Sequence, residues 1–448
     1  MTIKSDKPIW KKNLYVLSIA VFIAGIAFSE IMPFLPLYID TLGHFTHQQL
    51  NFWSGFIFSG VYFVSAIISP WWGKLADKKG RKLMILRASL GMALVLGSMG
   101  LVTNVWQLFF LRMLQGVFAG FVSNSNALIA TETPKENSGQ ALGTMASSFT
   151  AGNLLGPFLG GALASAFSYR VTFFITGGLL LISFLLSLFF VHEEGFKPIT
   201  EKKLDKASGV IATLRSPTLI FGLLLTTLII QAANNSINPI VSLYVKQLMN
   251  GHGNVVFVSG VIAALPGIAT FLAASRFGAL GDKIGTHKII IGGFIGATIL
   301  FFLTAFVHNT VQLGTLRFLV GFTDACLFPQ VQTLLTKNSP AAVTGRVFSW
   351  NQSAMYIGNI AGPLLGSFIA GVSSYSMVFI VTAGIVVLNY NDAIETIDFV
   401  EKISTFNAVD IICVVDNCST DDSVKQLKKL KNIELIALDT NEGYAAGN

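Results

Sequence analysis

The chain has 448 residues, 52% of them hydrophobic and 12% charged, about half the charged share of a soluble domain. That excludes a soluble globular protein, and the net charge of +7 lies in short loops between apolar runs, as membrane topology places it and a nucleic-acid-binding face does not. The charge is split along the chain: residues 1–388 hold 25 Lys/Arg against 12 Asp/Glu, and residues 389–448 hold 5 against 11.

Apolar runs long enough to cross a hydrocarbon core, about 20 residues each, follow one another. They predict membrane helices near 13–38, 52–72, 84–103, 105–130, 139–166, 171–191, 217–246, 255–276, 288–307, 310–336 and 342–371, with a short twelfth at 375–388. The first run is too long for a signal peptide and has no small-residue cleavage pattern. Lys4, Lys7, Lys11 and Lys12 precede the first span. Lys74, Lys78, Lys79, Arg81 and Lys82 fill the second-to-third loop, and Lys197, Lys202, Lys203, Lys206 and Arg215 fill the sixth-to-seventh. Alternate loops hold little beyond Arg170 and Lys246. The positive-inside rule then puts both ends of the twelve-span region in the cytoplasm. The cysteines Cys326, Cys413 and Cys418 have no metal or redox spacing, and nothing in the chain calls for a metal or a cofactor.

The spans repeat. "GKLADKKGRK" (Gly73–Lys82) returns as "GALGDKIGTHK" (Gly278–Lys288), setting Asp77 against Asp282, and "LRMLQG" (Leu111–Gly116) returns as "LRFLVG" (Leu316–Gly321), both 205 residues on. "GNLLGPFLGG" (Gly152–Gly161) returns as "GNIAGPLLGS" (Gly358–Ser367), and "MPFLPLYI" (Met32–Ile39) as "NPIVSLYV" (Asn238–Val245), both 206 residues on. Such a period is too long for a solenoid. It predicts an all-α membrane protein of two pseudo-symmetric six-helix bundles, 1–191 and 217–388 joined by a linker at 192–216, with a binding site near the membrane midplane.

These motifs resemble the major facilitator superfamily, and within it the twelve-helix drug/proton antiporters. "GKLADKKGRK" is similar to the superfamily's signature for the second-to-third loop, and "GNLLGPFLGG" to the fifth-helix motif of antiporters. "FSEIMPFLPLY" and "LRMLQG" look like the multidrug branch. The resemblance covers about 1–388 and implies a proton-driven exporter of lipophilic or cationic compounds: a multi-pass plasma-membrane protein with a cytoplasmic N-terminus, not an enzyme, with protons, small substrates and lipid as its partners and no nucleic acid. A carrier for one metabolite or sugar would share the fold. The resemblance also implies that Asp77, flanked by Gly73, Gly80 and Arg81, meets the N-terminus of the eleventh span in the outward-facing state, where the helix dipole favours a carboxylate; otherwise it is a solvated turn, and Asp282 is its repeat.

Gly152 and Gly156 give the fifth span a smooth face, and Pro157 removes a backbone donor. That face is a close helix contact, a gating hinge, or both. Three ionisable residues lie inside apolar spans: Glu30, Arg112 and Asp324. Each is costly there unless paired or hydrated. Counting about 1.5 Å per residue puts Glu30 and Arg112 in the outer half of the bilayer, which predicts a carboxylate–guanidinium pair whose separation would make the acid take a proton. Alternatively Glu30 lies in water at the rim. Arg317 repeats Arg112, and Asp324 seven residues later is either a second proton site or the partner of Arg317. The polar and aromatic residues Phe34, Tyr38, Asn124, Asn126, Phe149, Gln231, Asn234, Asn235, Asn238, Trp350, Asn351 and Tyr356 read together as the lining of a mostly apolar pocket, while singly each amide reads as interhelical glue.

The apolar twelfth run stops at Leu388, and "GIVVLNYND…IICVVDNCSTDDSV…NEGYAAGN" resembles the N-terminal part of a family 2 glycosyltransferase. That resemblance implies strands ending at Asn389–Asn391 and at Asp416, with Asn391 and Asp416 at a vestigial nucleotide site, and a truncated α/β tail over 389–448 without the metal-binding half. A fusion near Gly384 that does no transferase chemistry is the expectation, with a membrane-anchored transferase as its rival.

Overall fold

The computed structural model describes residues 8–193, 196, 214, 217–339, 343–383, 386–389, 412–416, 427–428 and 433–437. Two compact units divide it: Met1–Leu204 with Asn238–Gly267, and Asp205–Ile237 with Ile268–Asn448.

In the first unit the first span breaks into α1 (Ile9–Ser29) and α2 (Leu35–Asp40). The prediction of one continuous helix over 13–38 fails at Pro33 and Pro36, which lack the amide hydrogen the ladder needs. α3 (His47–Lys79) starts on a capping box, Thr46 accepting from the Gln49 backbone and Gln49 from that of Thr46. It ends at Gly80, whose φ of 94° lets α4 (Arg81–Met99) turn back at once. The fourth span is also two helices, α5 (Val105–Val117) and α6 (Phe121–Glu132), parted at Gly120 with φ 108°. The loose carbonyls of Val117 and Ala119 there accept from the Arg87 guanidinium at 2.9 and 3.0 Å, which itself lies 3.8 Å over Trp72. α7 (Lys135–Ala166) packs along α1, and α8 (Tyr169–Phe190) along α4 and α1.

The seventh span breaks where the first does. α9 (Pro217–Ile237) belongs to the second unit and α10 (Val241–Leu248) to the first, with Pro239 at the break. Within the first unit Lys246 of α10 pairs with Asp40 at 2.7 Å, and Asn254 donates to Ser165 at 2.7 Å. α11 (Val255–Ile284) turns at Gly285, φ 104°, into α12 (Thr286–Thr304), repeating the Gly80 turn. α13 (Thr310–Asn338) and α14 (Thr344–Val372) follow, α14 packing along α9. The second unit's apolar core includes Ile220, Leu223, Ile290, Leu327, Val331 and Val347.

The last helix, α15 (Tyr375–Ala383), stops five residues before Leu388. Val386–Asn389 is instead β1, beside β2 (Ile412–Asp416) and β3 (Ile433–Ala437) in a parallel sheet of order β1-β2-β3, with Asn389 level with Asp416. The run that reads equally as helix end and strand start is a strand, as the β-branched pair Val386–Val387 favours. Asn391, the expected loops of the tail and most of its expected helix lie outside the described residues, as does the side chain of Asp416.

Among the described residues nine helices are long and apolar enough to cross a membrane, against twelve expected spans. α12 is apolar but shorter over Lys288–Thr304. α7 is 32 residues long, and its glycine, serine and threonine content holds down its hydropathy. The architecture remains that of an all-α, multi-pass membrane protein, with a small parallel three-stranded sheet in its tail.

Candidate functional site

Glu30 caps α1, its backbone N–H donating to the Ile26 carbonyl at 2.9 Å. Its side chain is fully buried. One carboxyl oxygen, Oε1, accepts from Thr176 Oγ1 of α8, and Oε2 has no hydrogen-bond partner among the described residues. Arg112 is not there. It is buried on α5, donates to Gln115 Oε1 at 2.8 Å and lies 5.8 Å from the Phe58 ring centre, with its Nε without a partner among the described residues. The expected Glu30–Arg112 pair is therefore corrected: rise along two helices gives depth and says nothing about which way each side chain turns.

The glycines explain how a carboxylate sits in so closed a contact. A side-chain carbon on Gly160 would meet the Glu30 carbonyl, one on Gly156 the Ser29 hydroxyl and the Ile26 carbonyl, and one on Gly152 the Phe22 carbonyl. α7 thus lies against the backbone of α1 along its length, as small residues allow, and Pro157 falls inside α7 without ending it. The second unit repeats the contact: Gly358, Gly362 and Gly366 of α14 face the carbonyls of Leu228, Ala232 and Ser236 on α9. The repeat extends to the polar pair. Glu30 and Thr176 are separated by 146 residues, and so are Ser236 and Thr382, whose hydroxyls lie 3.1 Å apart. The equivalent of the acid is a serine.

The second unit's own acid is elsewhere. Asp324 on α13 accepts from Asn234 at 2.8 Å, and its bonded partner is not Arg317, whose Nε and Nη1 are buried without partners among the described residues. Asp324 and Asn234 line a cavity of about 280 Å³ with Phe294, Phe301, Leu365 and Ala383. In the first unit a larger cavity, about 1390 Å³, lies between α1 and α7 and is lined by Lys11, Lys12, Phe22, Ser147, Ser148 and His192.

Few of the expected pocket residues meet. Phe34 and Tyr38 are closed into an aromatic cluster, Phe34 stacked on Tyr169 at 5.8 Å and edge-on to Phe173 at 5.5 Å, while the Tyr38 hydroxyl donates to the Met99 carbonyl at 2.9 Å. They are core here, because the break before α2 turns them toward α8. Asn124 donates to the Gly120 carbonyl at 2.7 Å, and the Oδ1 of Asn126 is buried with no partner among the described residues. Asn235 ties to Asn359 at 2.9 Å and to the Gln231 carbonyl at 2.9 Å, and Asn351 accepts from Thr227 at 2.7 Å, so these amides link α9 to α14. Trp350 stacks on Phe221 at 6.1 Å. Phe149 and Tyr356 are half-buried, and Asn238 lies in the break between α9 and α10.

At the opposite end of the first unit, Gly80 and Arg81 are held by a residue the sequence reading missed. Glu193, just past α8, accepts from the backbone N–H groups of Arg81 and Lys82, both at 2.9 Å, at the start of α4, where a helix favours an anion. Arg81 also donates to Thr131 at 3.1 Å. Nearby, Asn13 donates to Glu132 and to the His192 carbonyl, each at 2.6 Å. A space at Gly73 stays open, and the side chains of Asp77 and Asp282 lie outside the described residues. Thr176 was also missed, although the 206-residue period that aligns it with Thr382 was available.

The sequence pattern of the Major Facilitator Superfamily matches residues 17–275 and 223–391. The multidrug resistance protein MdtG of Citrobacter koseri is 50% identical over 386 residues, 86% of this chain and 95% of that protein. MdtG of Escherichia coli is 49% identical over 387 residues, with the same coverage. Among solved structures, the nucleoside transporter NupG superposes with a TM-score of 0.65 at 14% identity, covering 83% of this chain and 95% of that one. The human organic anion transporter MFSD10 (TETRAN) gives 0.61 at 16%, covering 84% and 97%. These two likenesses speak for the fold alone. The duplicated bundle, the glycine-lined contacts at one period and these matches agree: the chain belongs to the major facilitator superfamily.

Proposed function

We propose that the chain is a multidrug exporter of the plasma membrane, with a cytoplasmic N-terminus, which moves lipophilic or cationic compounds outward in exchange for protons. The observation that carries this reading is the near-50% identity to multidrug resistance proteins over 95% of their length. Glu30 supports the proton half: it is a fully buried acid whose bonded partner is a neutral hydroxyl. Such a group holds a proton when the contact is closed and releases it when water enters. No cofactor takes part; the proton gradient supplies the energy, and the chain does no covalent chemistry. Asp324 is the second unit's candidate proton site, and the Gly152–Gly156–Pro157 face, with Gly73, Asp77, Gly80, Arg81, Asp282 and Arg317, is assigned to gating. Residues 389–448 add no activity in this reading.

The test is uptake of ethidium by energised inside-out vesicles, with and without an uncoupler. Uptake into the vesicles that collapses on adding the uncoupler is expected. Uptake that persists without a proton gradient sinks the antiport reading, and none in energised vesicles containing inserted protein sinks the drug reading.

A further inference from the structure

Thr176 Oγ1 sits in two hydrogen bonds at once, one with Glu30 Oε1 and one with the Thr172 carbonyl at 2.8 Å. A hydroxyl has a single hydrogen and can donate only once. The carbonyl can only accept. So when the Thr176 hydrogen is directed at Thr172, the contact with Glu30 requires a hydrogen from the carboxyl itself. When Glu30 is ionised it can only accept, and the Thr176 hydrogen must turn away from Thr172 to meet it.

Among the described residues, the titratable and charged groups nearest on the elements packed against α1 have other partners. Glu132 of α6 accepts from Asn13, Arg170 of α8 donates to the Val102 carbonyl at 3.2 Å, and the Tyr38 hydroxyl donates to Met99. Tyr169 is stacked on Phe34, Arg112 of α5 is bonded to Gln115, and on α7 the side chains of Lys135 and Glu136 lie outside the described residues. Gly156 and Gly160 leave no room on the α7 side for another donor. The equivalent contact in the second unit, Ser236 with Thr382, is a hydroxyl pair that carries no charge in either arrangement.

We infer that Thr176 is the positioning residue of the Glu30 proton site: its hydroxyl turns between the Thr172 carbonyl and the Glu30 carboxylate as Glu30 gains and loses its proton, so that α8 registers the charge on α1. The proton leaves Glu30 for water and returns from water; no other bond is made or broken. The Thr172 carbonyl keeps its place in the α8 backbone ladder in both states, so the switch costs the helix one side-chain bond only. This inference rests on Glu30 being the coupling acid.

A hydrogen bond to a carboxylate is about twice as strong as one between neutral groups, so Thr176 favours the ionised form. Removing its hydroxyl makes Glu30 hold its proton to higher pH. The experiment measures the pH profile of ethidium transport by the full chain in liposomes, for wild type, Thr176→Val, Thr176→Ser and Glu30→Gln. Thr176→Val should move the midpoint toward alkaline pH by about one unit, while Thr176→Ser stays with wild type. In the infrared, the protonated-carboxyl band lost in Glu30→Gln should shift in Thr176→Val and return in Thr176→Ser. Should Thr176→Val not insert, Thr176→Ala removes the same hydroxyl. A flat profile in Glu30→Gln with an unmoved midpoint and band in the hydroxyl-free variant overturns the role of Thr176 alone. A wild-type profile in Glu30→Gln overturns the coupling reading and this inference with it.

Discussion

The contact between α1 and α7 and the contact between α9 and α14 are the same construction built twice. Each of three glycines on one helix meets a backbone carbonyl on the other, and each trio is related to its repeat by the same 206-residue step. At the end of each contact stands a polar pair across to a further helix, Glu30 with Thr176 and Ser236 with Thr382. Only one member of the four differs in kind. The comparison teaches that packing was duplicated while charge was not. A close helix contact demands small residues wherever it occurs, but an acid is needed only where a proton is to be handled. In the second unit the acid is displaced to Asp324, on a different helix, with an amide for its partner.

The shared part of the comparison should break with the largest effect. Gly160→Val puts a side-chain carbon, further branched, where the Glu30 carbonyl already lies, and Gly366→Val does the same at Ser236. Overpacking a well-filled core costs about 1–3 kcal/mol, and here the obstacle is backbone, which cannot swing aside. Both variants should lose most of their monodisperse protein on size-exclusion chromatography, by similar amounts. If one is tolerated and the other is not, the two contacts are not equivalent and the symmetry argument fails.

The unshared part should break next, and only in function. Glu30→Gln keeps the size of the side chain and a group that Thr176 can meet, but it cannot titrate. Transport should lose its pH dependence and its uncoupler sensitivity, with substrate-coupled flux down at least about tenfold, as one lost coupling step of roughly 1.4 kcal/mol or more requires. Asp324→Asn should do less, since an amide oxygen still accepts from Asn234: the pH profile should lose only what a second proton site contributes and should stay nearer to wild type than that of Glu30→Gln. A flattened profile in Asp324→Asn beside a normal one in Glu30→Gln would place coupling in the second unit.

How much of this could be read beforehand follows from what each signal encodes. The repeat and the glycine faces are written in residue type and spacing, and they foretold the duplicated bundle and a close helix contact on the fifth span and its repeat. The partners of those faces, and the breaks at Pro33 and Pro239, were not foretold. Glu30, Arg112 and Asp324 stood out because charge in an apolar run is rare. Their partners did not. Thr176 and Gln115 are neutral residues that carry no mark, and Asn234 was singled out for a pocket rather than for Asp324; only laying Thr382 over Thr176 by the period would have raised that threonine. Pairing Glu30 with Arg112 failed because depth was known and azimuth was not. The twelfth helix ends sooner than the expected 375–388, since a short apolar run such as Val386–Leu388 suits a helix and a strand equally, and β pairing with Ile412–Asp416 decided it.

The smallest expected effect sharpens the comparison from its neutral side. Ser236 donates to the Ala233 carbonyl at 2.7 Å as well as meeting Thr382, and Thr382 also borders the cavity of Asp324. Removing both hydroxyls with Ser236→Ala and Thr382→Val takes away a neutral bond worth about 0.5–1.5 kcal/mol. Neither replacement leaves a charge without a partner. Each single variant should lower thermal stability slightly, and the double variant should lose less than the sum of the two, because the first change has already broken the bond that the second would remove. The pH profile of transport should not move in any of the three. A shift there would mean that the hydroxyl pair communicates with a titrating group, and the division between a charged first unit and a neutral second contact would have to be redrawn around Thr382 and Asp324.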